Sequence, residues 1–381
     1  MSANITAKAL NIPSFIVMDV LERARALEKE GKDIIHLEVG EPDFNTPSCI
    51  IQAGCRALRE GRTHYTHSQG LLELREAVCG DYRERYGVSF DPDQVIVTSG
   101  TSPALLMLFA AMLDKDDEII MTNPYYPCYA NMVKFLGGVP RLVPVTPDEN
   151  FHLTPEKIKP FLSRKTKAIL VNSPANPTGM CMDPSVMKEI AEIGVPVISD
   201  EIYHGIRYEG NDHTFLEFAP DAFVVNGFSK RYAMTGWRLG YLVAPRKWIR
   251  PLQKMQQNFF ISAADFVQWA GVTALREARP DVERMVETYR ERRDYLFTAL
   301  KNLGFDIYAP PQGAFYFFAD CRKFSEDAYA FAFDVLEHAL VGITPGIDFG
   351  PMGEGYVRFS YANSLENIKE AMARIRRYLT T

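Results

Sequence analysis

The sequence has no uncharged apolar run of the roughly 18 residues that a helix needs to cross a bilayer, so we expect no membrane association. It also lacks a basic excess: 42 lysines and arginines stand against 48 aspartates and glutamates, a formal net charge of −6. An acidic chain attracts nucleic acid poorly, and we expect no nucleic-acid partner. Met1–Lys8 lacks a basic stretch followed by an apolar core, which predicts no signal peptide and a cytoplasmic location.

Cysteine and histidine patterns that hold metals are missing as well. The six cysteines form no C-x-x-C pair, and in a cytoplasmic chain we expect them to be reduced thiols. Among the seven histidines, His64 and His67 form one H-x-x-H pair, but no second ligand cluster accompanies it. We therefore expect no metal site.

The chain is long enough for more than one domain. At about 150 residues per domain, its 381 residues predict two or three domains or lobes. Hydrophobic residues make up 47% and charged residues 24%, which is ordinary for a globular protein and excludes a disordered chain, a collagen or a coiled coil.

Short β-branched segments alternate with longer helical patterns in the first two thirds of the chain. Pro103–Leu113 predicts a buried helix with proline in its first turn. The strand segments are mostly apolar rather than alternating, which is typical of strands covered by helices on both faces. The pattern predicts an α/β fold with a mostly parallel sheet. The predicted strands are Gln94–Thr98, Glu118–Thr122, Ala168–Asn172, Val195–Ser199, Ala222–Asn226 and Gly240–Val243.

The C-terminal part predicts a second, smaller α+β domain. Pro280–Leu303 is a long amphipathic helix, and we expect the N-terminal segment up to Phe44 to pack with the part that follows it. The expected boundaries are 45–284 for the large domain, and 1–44 with 285–381 for the small one. The predicted small-domain elements are the strands Phe305–Tyr308, Ala314–Asp320 and Tyr356–Tyr361, with the helices Asp327–His338 and Leu365–Tyr378.

Polar motifs follow several strands, at the edge where open α/β sheets bind ligands. Ser99–Pro103 joins a strand to a helix N-terminus. This segment is either an anion-binding site or an ordinary helix cap. Asn172–Gly179 follows another strand and predicts a tight loop. Asp200, with Tyr203 close behind it, either faces a cation or caps a helix. Lys230 is either a nucleophile with a lowered pKa or a surface lysine.

These motifs together favour one cofactor. With Arg238 shortly downstream, the edge carries a phosphate seat, a buried carboxylate, a phenol, a lysine and an arginine. Pyridoxal phosphate needs this set, because the lysine forms a Schiff base and the carboxylate keeps the pyridine nitrogen protonated. At about 3 Å and an effective dielectric constant of about 20, that ion pair is worth roughly 5 kcal/mol.

The motifs also occur in a characteristic order along the chain. They are Leu37–Phe44, Tyr65–Gly70, Glu73–Arg75, Gly100–Ser102, Asn123–Pro127, Asn176–Gly179, Asp200–Tyr203, Ser229–Lys230, Gly236–Arg238 and Arg358–Ser360. Over nearly its whole length the chain resembles the class I, fold type I aminotransferases that depend on pyridoxal phosphate. It is most similar to their bacterial and archaeal aspartate aminotransferase branch. The resemblance implies a large cofactor-binding domain with a mostly parallel seven-stranded sheet between helices, and a smaller α+β domain.

The resemblance also implies roles for the catalytic residues. Lys230 would form the Schiff base and move the proton during the reaction. Asp200 would pair with the pyridinium nitrogen. Tyr203 and Asn176 would hydrogen-bond the ring oxygen. The remaining cofactor contacts would be Tyr126 on the ring, and Thr101, Ser102, Ser229, Arg238 and the partner subunit's Tyr65 on the phosphate.

On the substrate side, the resemblance implies that Arg358 grips the α-carboxylate with its two-pronged guanidinium. The backbone of Gly40 and the side chain of Asn176 would lie beside that carboxylate. Since Tyr65 would act in the neighbouring subunit's site, we expect a homodimer with active sites at the interface.

The far end of the substrate site lacks an evident cation. Gln257–Ile261, where animal-type relatives carry an arginine from the neighbouring subunit, has neither Arg nor Lys. Ser102 stands where some bacterial relatives have a lysine. Pro13–Met18, which contains Ile16, would cover the substrate and is mostly apolar. An unpaired carboxylate there would lose its hydration at a cost of several kcal/mol.

We therefore expect an aminotransferase that moves an amino group between an L-amino acid and a 2-oxo acid by a ping-pong mechanism. One side of the reaction would use a neutral or aromatic amino acid, and the other glutamate and 2-oxoglutarate. Two alternatives stay open. The protein is an aspartate aminotransferase whose distal-carboxylate ligand the sequence does not reveal, or a cysteine-S-conjugate β-lyase on the same scaffold.

Overall fold

A computed structural model describes residues 5–380. Of the helices in that range, none is both long and apolar enough to cross a membrane. The strands are β1 (Ile35–His36), β2 (Val95–Thr98), β3 (Glu118–Asn123), β4 (Val139–Pro144), β5 (Thr166–Asn172), β6 (Val197–Asp200), β7 (Phe223–Gly227), β8 (Gly240–Val243), β9 (Tyr316–Asp320), β10 (Val341–Gly342), β11 (Thr344–Pro345) and β12 (Tyr356–Ser360). The α-helices are α1 (Ala7–Asn11), α2 (Ile16–Lys29), α3 (Ser48–Arg59), α4 (Leu72–Tyr86), α5 (Thr101–Met112), α6 (Pro127–Phe135), α7 (Pro155–Ile158), α8 (Pro184–Ala191), α9 (Arg246–Phe259), α10 (Asp265–Glu277), α11 (Arg279–Leu303), α12 (Ala328–Asp334) and α13 (Leu365–Thr380).

The large sheet has seven strands in the order β2-β8-β7-β6-β5-β3-β4. Neighbouring strands run parallel except at β8, which is antiparallel to both β2 and β7. The predicted mostly parallel sheet is therefore confirmed. The register pairs Asn172 with Asp200 and Asp200 with Val225, so β5, β6 and β7 end at one common edge.

Helices cover both faces of this sheet, which explains why its strands are apolar throughout. Because side chains alternate along a strand, Val95 and Val97 enter one core cluster while Ile96 enters another. The first cluster contains Leu74 of α4, and the second contains Leu108 of α5. Both faces are packed with apolar side chains, and the polar motifs follow the strand ends.

The smaller domain is built on a three-stranded antiparallel sheet in the order β11-β12-β9. Val357 and Phe359 of β12 face the main core, to which Leu300 of α11 and Ile375 of α13 also belong. Alternation along β12 then turns Arg358 to the opposite face, toward the large sheet. In the N-terminal segment, β1 pairs in parallel with β10. The exact domain boundaries stay a prediction.

One predicted strand is absent and one observed strand was not predicted. Phe305–Tyr308 forms no strand, because these residues make a single bridge, between Asp306 and Asp320, before two prolines that lack an N–H donor. The edge strand β4 was not predicted, because Pro140 and Pro144 interrupt its apolar pattern. An edge strand tolerates proline because one of its sides has no hydrogen-bonded partner. The predicted helix Asp327–His338 is α12 followed by one wider π-helical turn over 335–339.

Candidate active site

Lys230 lies just beyond β7, partly buried, and its Nζ donates a hydrogen bond to the carbonyl oxygen of Gly40 at 2.5 Å. Burial is the main cause that lowers the pKa of this amine; Glu41 and Asp200 oppose it, Arg358 and Arg238 add to it, and the net result is a pKa of about 8. With this pKa about a tenth of the lysine is free amine at pH 7, far more than for an ordinary lysine.

Asp200 ends β6 and is only 3% exposed. Its Oδ2 accepts a hydrogen bond from the hydroxyl of Tyr129 at 2.6 Å, and its Oδ1 accepts one from the N–H of Ile202 at 3.1 Å. Burial raises the pKa of the carboxyl to about 6, and these two donors oppose the rise. A cation placed beside Asp200 would therefore be held strongly.

Arg358 is 3% exposed and joins segments that are far apart in the sequence. Its Nη1 donates to Oδ1 of Asn176 at 2.9 Å, and its Nη2 donates to the carbonyl oxygen of Glu38 at 2.5 Å. Its Nε is buried without a partner among the residues that the structure describes. A guanidinium with an unused donor at the cavity wall suits a carboxylate ligand.

The start of α5 forms a seat for an anion. Gly100, at φ 102°, precedes the helix, and no side chain caps the free N–H groups of its first turn. A Cβ at Gly100 would come within 2.7 Å of Nη2 of Arg238, so that guanidinium lies against the backbone here. Helix dipole, free N–H groups and a fixed cation together favour a phosphate.

One cavity of about 210 Å³ collects most of the predicted site residues. It lies between the edge of the large sheet, β12 and the N-terminal segment. The sheet edge contributes Lys230, Asp200, Tyr203 and Asn176, α5 and the start of α6 contribute Thr101, Ser102 and Tyr126, and the small-domain side contributes Gly40 and Arg358.

Four predicted residues lie elsewhere. Arg238 lines the adjoining groove, and Ser229 lies in the turn before Lys230. Tyr65 is 81% exposed and does not line the cavity of its own chain. Ile16 begins α2 and packs with Val20 one turn on, so it faces a core cluster.

Residues next to Ile16 in the chain line the cavity where Ile16 itself was expected. Phe15, Val17 and Met18 line the cavity, and the ring of Phe15 meets Tyr126 edge-on with centroids 5.9 Å apart. The N–H groups of Ile16 and Val17 are held by the carboxylate of Asp348 at 3.0 and 3.2 Å. The N-terminal segment therefore covers the cavity with apolar side chains.

Sequence analysis missed two tyrosines at the centre of the site. Tyr129 is the hydrogen-bond donor to Asp200, and Tyr316 of β9 donates to or accepts from Tyr203 at 2.8 Å. Tyr129 lies in the first turn of α6, three residues after Tyr126, which caps that helix; this spacing was a usable signal. Nothing local marked Tyr316, since its partners come from other parts of the chain.

The fold, the lysine, the buried carboxylate and the phosphate seat together define an enzyme that depends on pyridoxal phosphate. Residues 32–375 match the family model "Aminotransferase class I and II". The chain belongs to this family, and it is a transaminase whose cofactor is pyridoxal phosphate.

Relatives and solved structures agree with this assignment. The (5-formylfuran-3-yl)methyl phosphate transaminase of Methanocaldococcus jannaschii is 42% identical over 380 residues, covering 98% of this chain and 99% of that one. The aspartate aminotransferase of Pyrococcus horikoshii is 39% identical over 383 residues, covering 98% and 97%. The Thermus thermophilus aspartate aminotransferase structure with maleate has a TM-score of 0.95 at 38% identity, covering 99% of this chain and 100% of that one.

Proposed function

We propose that this aminotransferase exchanges the amino group of a neutral or aromatic L-amino acid with a 2-oxo acid, using glutamate and 2-oxoglutarate as the other pair. The observation that carries the proposal is an apolar wall of the cavity. That wall consists of apolar or weakly polar side chains: Phe15, Val17, Met18, Leu105, Cys128 and Met132.

Charge in the cavity supports this choice of substrate. Among its lining residues that the structure describes, only Lys230, Arg358 and Asp200 carry charge. Arg358 would bind the α-carboxylate, Lys230 the cofactor, and Asp200 the pyridine nitrogen, so among the described lining residues no cation is left for a second carboxylate. Burying an unpaired carboxylate costs several kcal/mol, whereas an apolar side chain gains free energy on the same wall.

The chemistry divides between cofactor and protein. When bound, pyridoxal phosphate supplies an electron sink for the bond that breaks at the substrate Cα. Lys230 takes up and returns the proton there, which a pKa near 8 allows at neutral pH. Asp200 keeps the ring nitrogen protonated. Tyr203 and Asn176 orient the ring oxygen, and Tyr126 packs on the ring.

The phosphate would be held at the start of α5. Thr101, Ser102 and Ser229 offer hydroxyl donors, and Arg238 offers a fixed cation beside the free N–H groups of the helix. The carbonyl oxygen of Gly40 accepts a hydrogen bond from Lys230. The backbone of Gly40 would lie beside the α-carboxylate of the substrate. The site thus holds the two anionic ends of cofactor and substrate with separate cations.

The active unit would be a homodimer with Tyr65 reaching the phosphate of the partner's site. Tyr65, Phe259 and Ile261 are 81%, 63% and 46% exposed. Large apolar side chains left this open are typical of surfaces that a partner covers. We also propose a cytoplasmic location, which the six free cysteines support because they suit a reducing compartment.

Aspartate is the competing donor, since the relatives from Pyrococcus horikoshii and Thermus thermophilus are named as aspartate aminotransferases. A steady-state comparison decides between them. Phenylalanine, leucine, alanine and aspartate are each supplied with 2-oxoglutarate, and glutamate formation is measured. We expect phenylalanine or leucine to give a kcat/KM at least about tenfold above that of aspartate, equivalent to about 1.4 kcal/mol. A higher value for aspartate would contradict the proposal.

Pyruvate and ammonia released from a cysteine conjugate without an oxo acid would instead support a β-lyase.

A further inference from the structure

Tyr316 is a buried tyrosine with no role assigned above, although it contacts Arg358 and Tyr203, which both have one. It begins β9 in the small domain, is 1% exposed, and lines the cavity beside Arg358. Its register partner is Ser360 on β12, two residues beyond Arg358. The side chain therefore reaches from the small domain across to the edge of the large sheet.

Three contacts fix Tyr316 in place. The guanidinium carbon of Arg358 lies 4.4 Å from the centroid of its ring. Its hydroxyl lies 2.8 Å from that of Tyr203. A Cβ at Gly40 would come within 2.1 Å of the same hydroxyl, so only glycine fits there. The ring supports the expected carboxylate ligand, and the hydroxyl reaches the residue expected to bind the ring oxygen.

The hydrogen bond between the two phenols has a preferred direction. Burial raises the pKa of both hydroxyls and the cation of Arg358 opposes the rise in both, but of the two rings it is that of Tyr316 that lies under the guanidinium, 4.4 Å from its carbon. A cation over a phenol ring makes its O–H the better donor, so Tyr316 donates and Tyr203 accepts. The proton of Tyr203 is then free to point into the cavity.

We propose that Tyr316 is a positioning residue that acts in two ways, packing its ring under Arg358 and donating its hydroxyl proton to Tyr203. Tyr203 can then donate to the oxygen of the cofactor ring. This inference rests on the proposed roles of Tyr203 and Arg358. The side chain of Tyr316 would thus support both the binding of the substrate carboxylate and the hydrogen bond to the ring oxygen of the cofactor.

The test compares Tyr316→Phe and Tyr316→Leu in the cofactor-loaded enzyme. The pH titration of the visible absorbance of the bound cofactor reports the hydrogen bond to the ring oxygen. Tyr316→Phe should raise the midpoint by about half a pH unit or more, because one donor supporting the anionic ring oxygen is lost. KM for the amino acid should stay within about twofold, since the ring under Arg358 remains.

Tyr316→Leu should raise the same midpoint and also weaken carboxylate binding. Binding of 3-phenylpropionate, a carboxylate without an amino group, should weaken about fivefold, because the ring face under Arg358 is gone. Tyr361→Phe is the matched control: Tyr361 is a fully buried tyrosine whose hydroxyl donates to the carbonyl oxygen of Ala314 at 3.3 Å, outside the cavity.

An unchanged midpoint in Tyr316→Phe, or an equal shift in Tyr361→Phe, would overturn the inference. The proposed function would survive that result, because the wild-type enzyme would still convert its amino donor. Full binding of 3-phenylpropionate by Tyr316→Leu would overturn the packing role. A wild-type enzyme whose absorbance responds to no amino acid would overturn both proposals.

Discussion

Nη1 of Arg358 lies 2.9 Å from Oδ1 of Asn176, although 182 positions separate the two residues in the chain. Arg358 stands on β12 of the small domain, and Asn176 follows β5 of the large sheet. The contact holds the buried guanidinium in the wall of the cavity. A carboxylate that binds Arg358 would thus be bound by both domains, which couples substrate binding to closure.

Replacing Lys230 with alanine should abolish turnover without unfolding the protein. The residue is expected both to hold the cofactor and to move the proton, and proton transfer alone contributes up to about 10⁴-fold. We expect kcat to fall at least about 10³-fold, with an unchanged circular dichroism spectrum. Lys188→Ala, on the exposed face of α8, is the control. Retained turnover in Lys230→Ala would refute the assignment.

Arg358→Lys should weaken recognition of the α-carboxylate while keeping the charge. Lysine cannot reproduce the two parallel donors of a guanidinium. We expect kcat/KM for phenylalanine to fall about 100-fold, since losing such a buried contact costs 2–5 kcal/mol. Activity toward 2-phenylethylamine, which lacks the carboxylate, should not fall. Arg376→Lys on the exposed face of α13 is the control. Equal losses for both donors would mean that Arg358 is only structural.

Asp200→Asn should stabilise the cofactor-free protein at alkaline pH. The folded protein raises the pKa of Asp200 from 3.8 to about 6, so folding costs free energy whenever the carboxyl is charged. That cost is fully present above pH 6 and disappears below about pH 4. A shift of about two units corresponds to about 3 kcal/mol at pH 8. The asparagine oxygen can still accept from the N–H of Ile202, and its NH2 group can donate to the hydroxyl of Tyr129, which reverses that hydrogen bond.

Urea unfolding of the cofactor-free proteins at pH 8 and pH 4 checks this prediction. The difference in free energy of unfolding between Asp200→Asn and wild type should be large at pH 8 and small at pH 4. Asp221→Asn, at an exposed position, is the control. A variant less stable than wild type at pH 8 would show that the charged carboxylate stabilises the fold.

Tyr65 should act in the site of the other subunit. Tyr65→Ala and Lys230→Ala are each expected to be nearly inactive alone. After mixed refolding, half of the dimers would be hybrids, each with one site that has both Lys230 and the partner subunit's Tyr65. Activity should therefore recover to roughly one quarter of wild type. If both residues served the same chain's site, no activity would return.

The sequence predicted the central strands well because they are buried on both faces and therefore continuously apolar. Gly240–Val243 is reproduced residue for residue. β4 escaped prediction because an edge strand tolerates the prolines and the exposed arginine that interrupt its pattern. Phe305–Tyr308 was overpredicted because two apolar residues at strand spacing also suit a short extended link.

Site residues were predictable where they follow a strand at the ligand edge, as Asp200 and Lys230 do. Tyr316 was not, because its partners Tyr203 and Arg358 are brought to it by the packing of the two domains. Ile16 was expected at the cavity, but the start of α2 at that residue turns it toward Val20. Which of the four neighbouring apolar residues 15–18 face the cavity depends on where the helix begins.

The most direct test of the account is the half-reaction with single amino acids. The cofactor-loaded wild-type enzyme is mixed with one amino acid and no oxo acid, and the absorbance of the bound cofactor is followed in a stopped-flow instrument. The account predicts fast conversion to the pyridoxamine form by phenylalanine or leucine, slow conversion by aspartate, and none in Lys230→Ala. Fast conversion by aspartate and slow conversion by the apolar donors would contradict it.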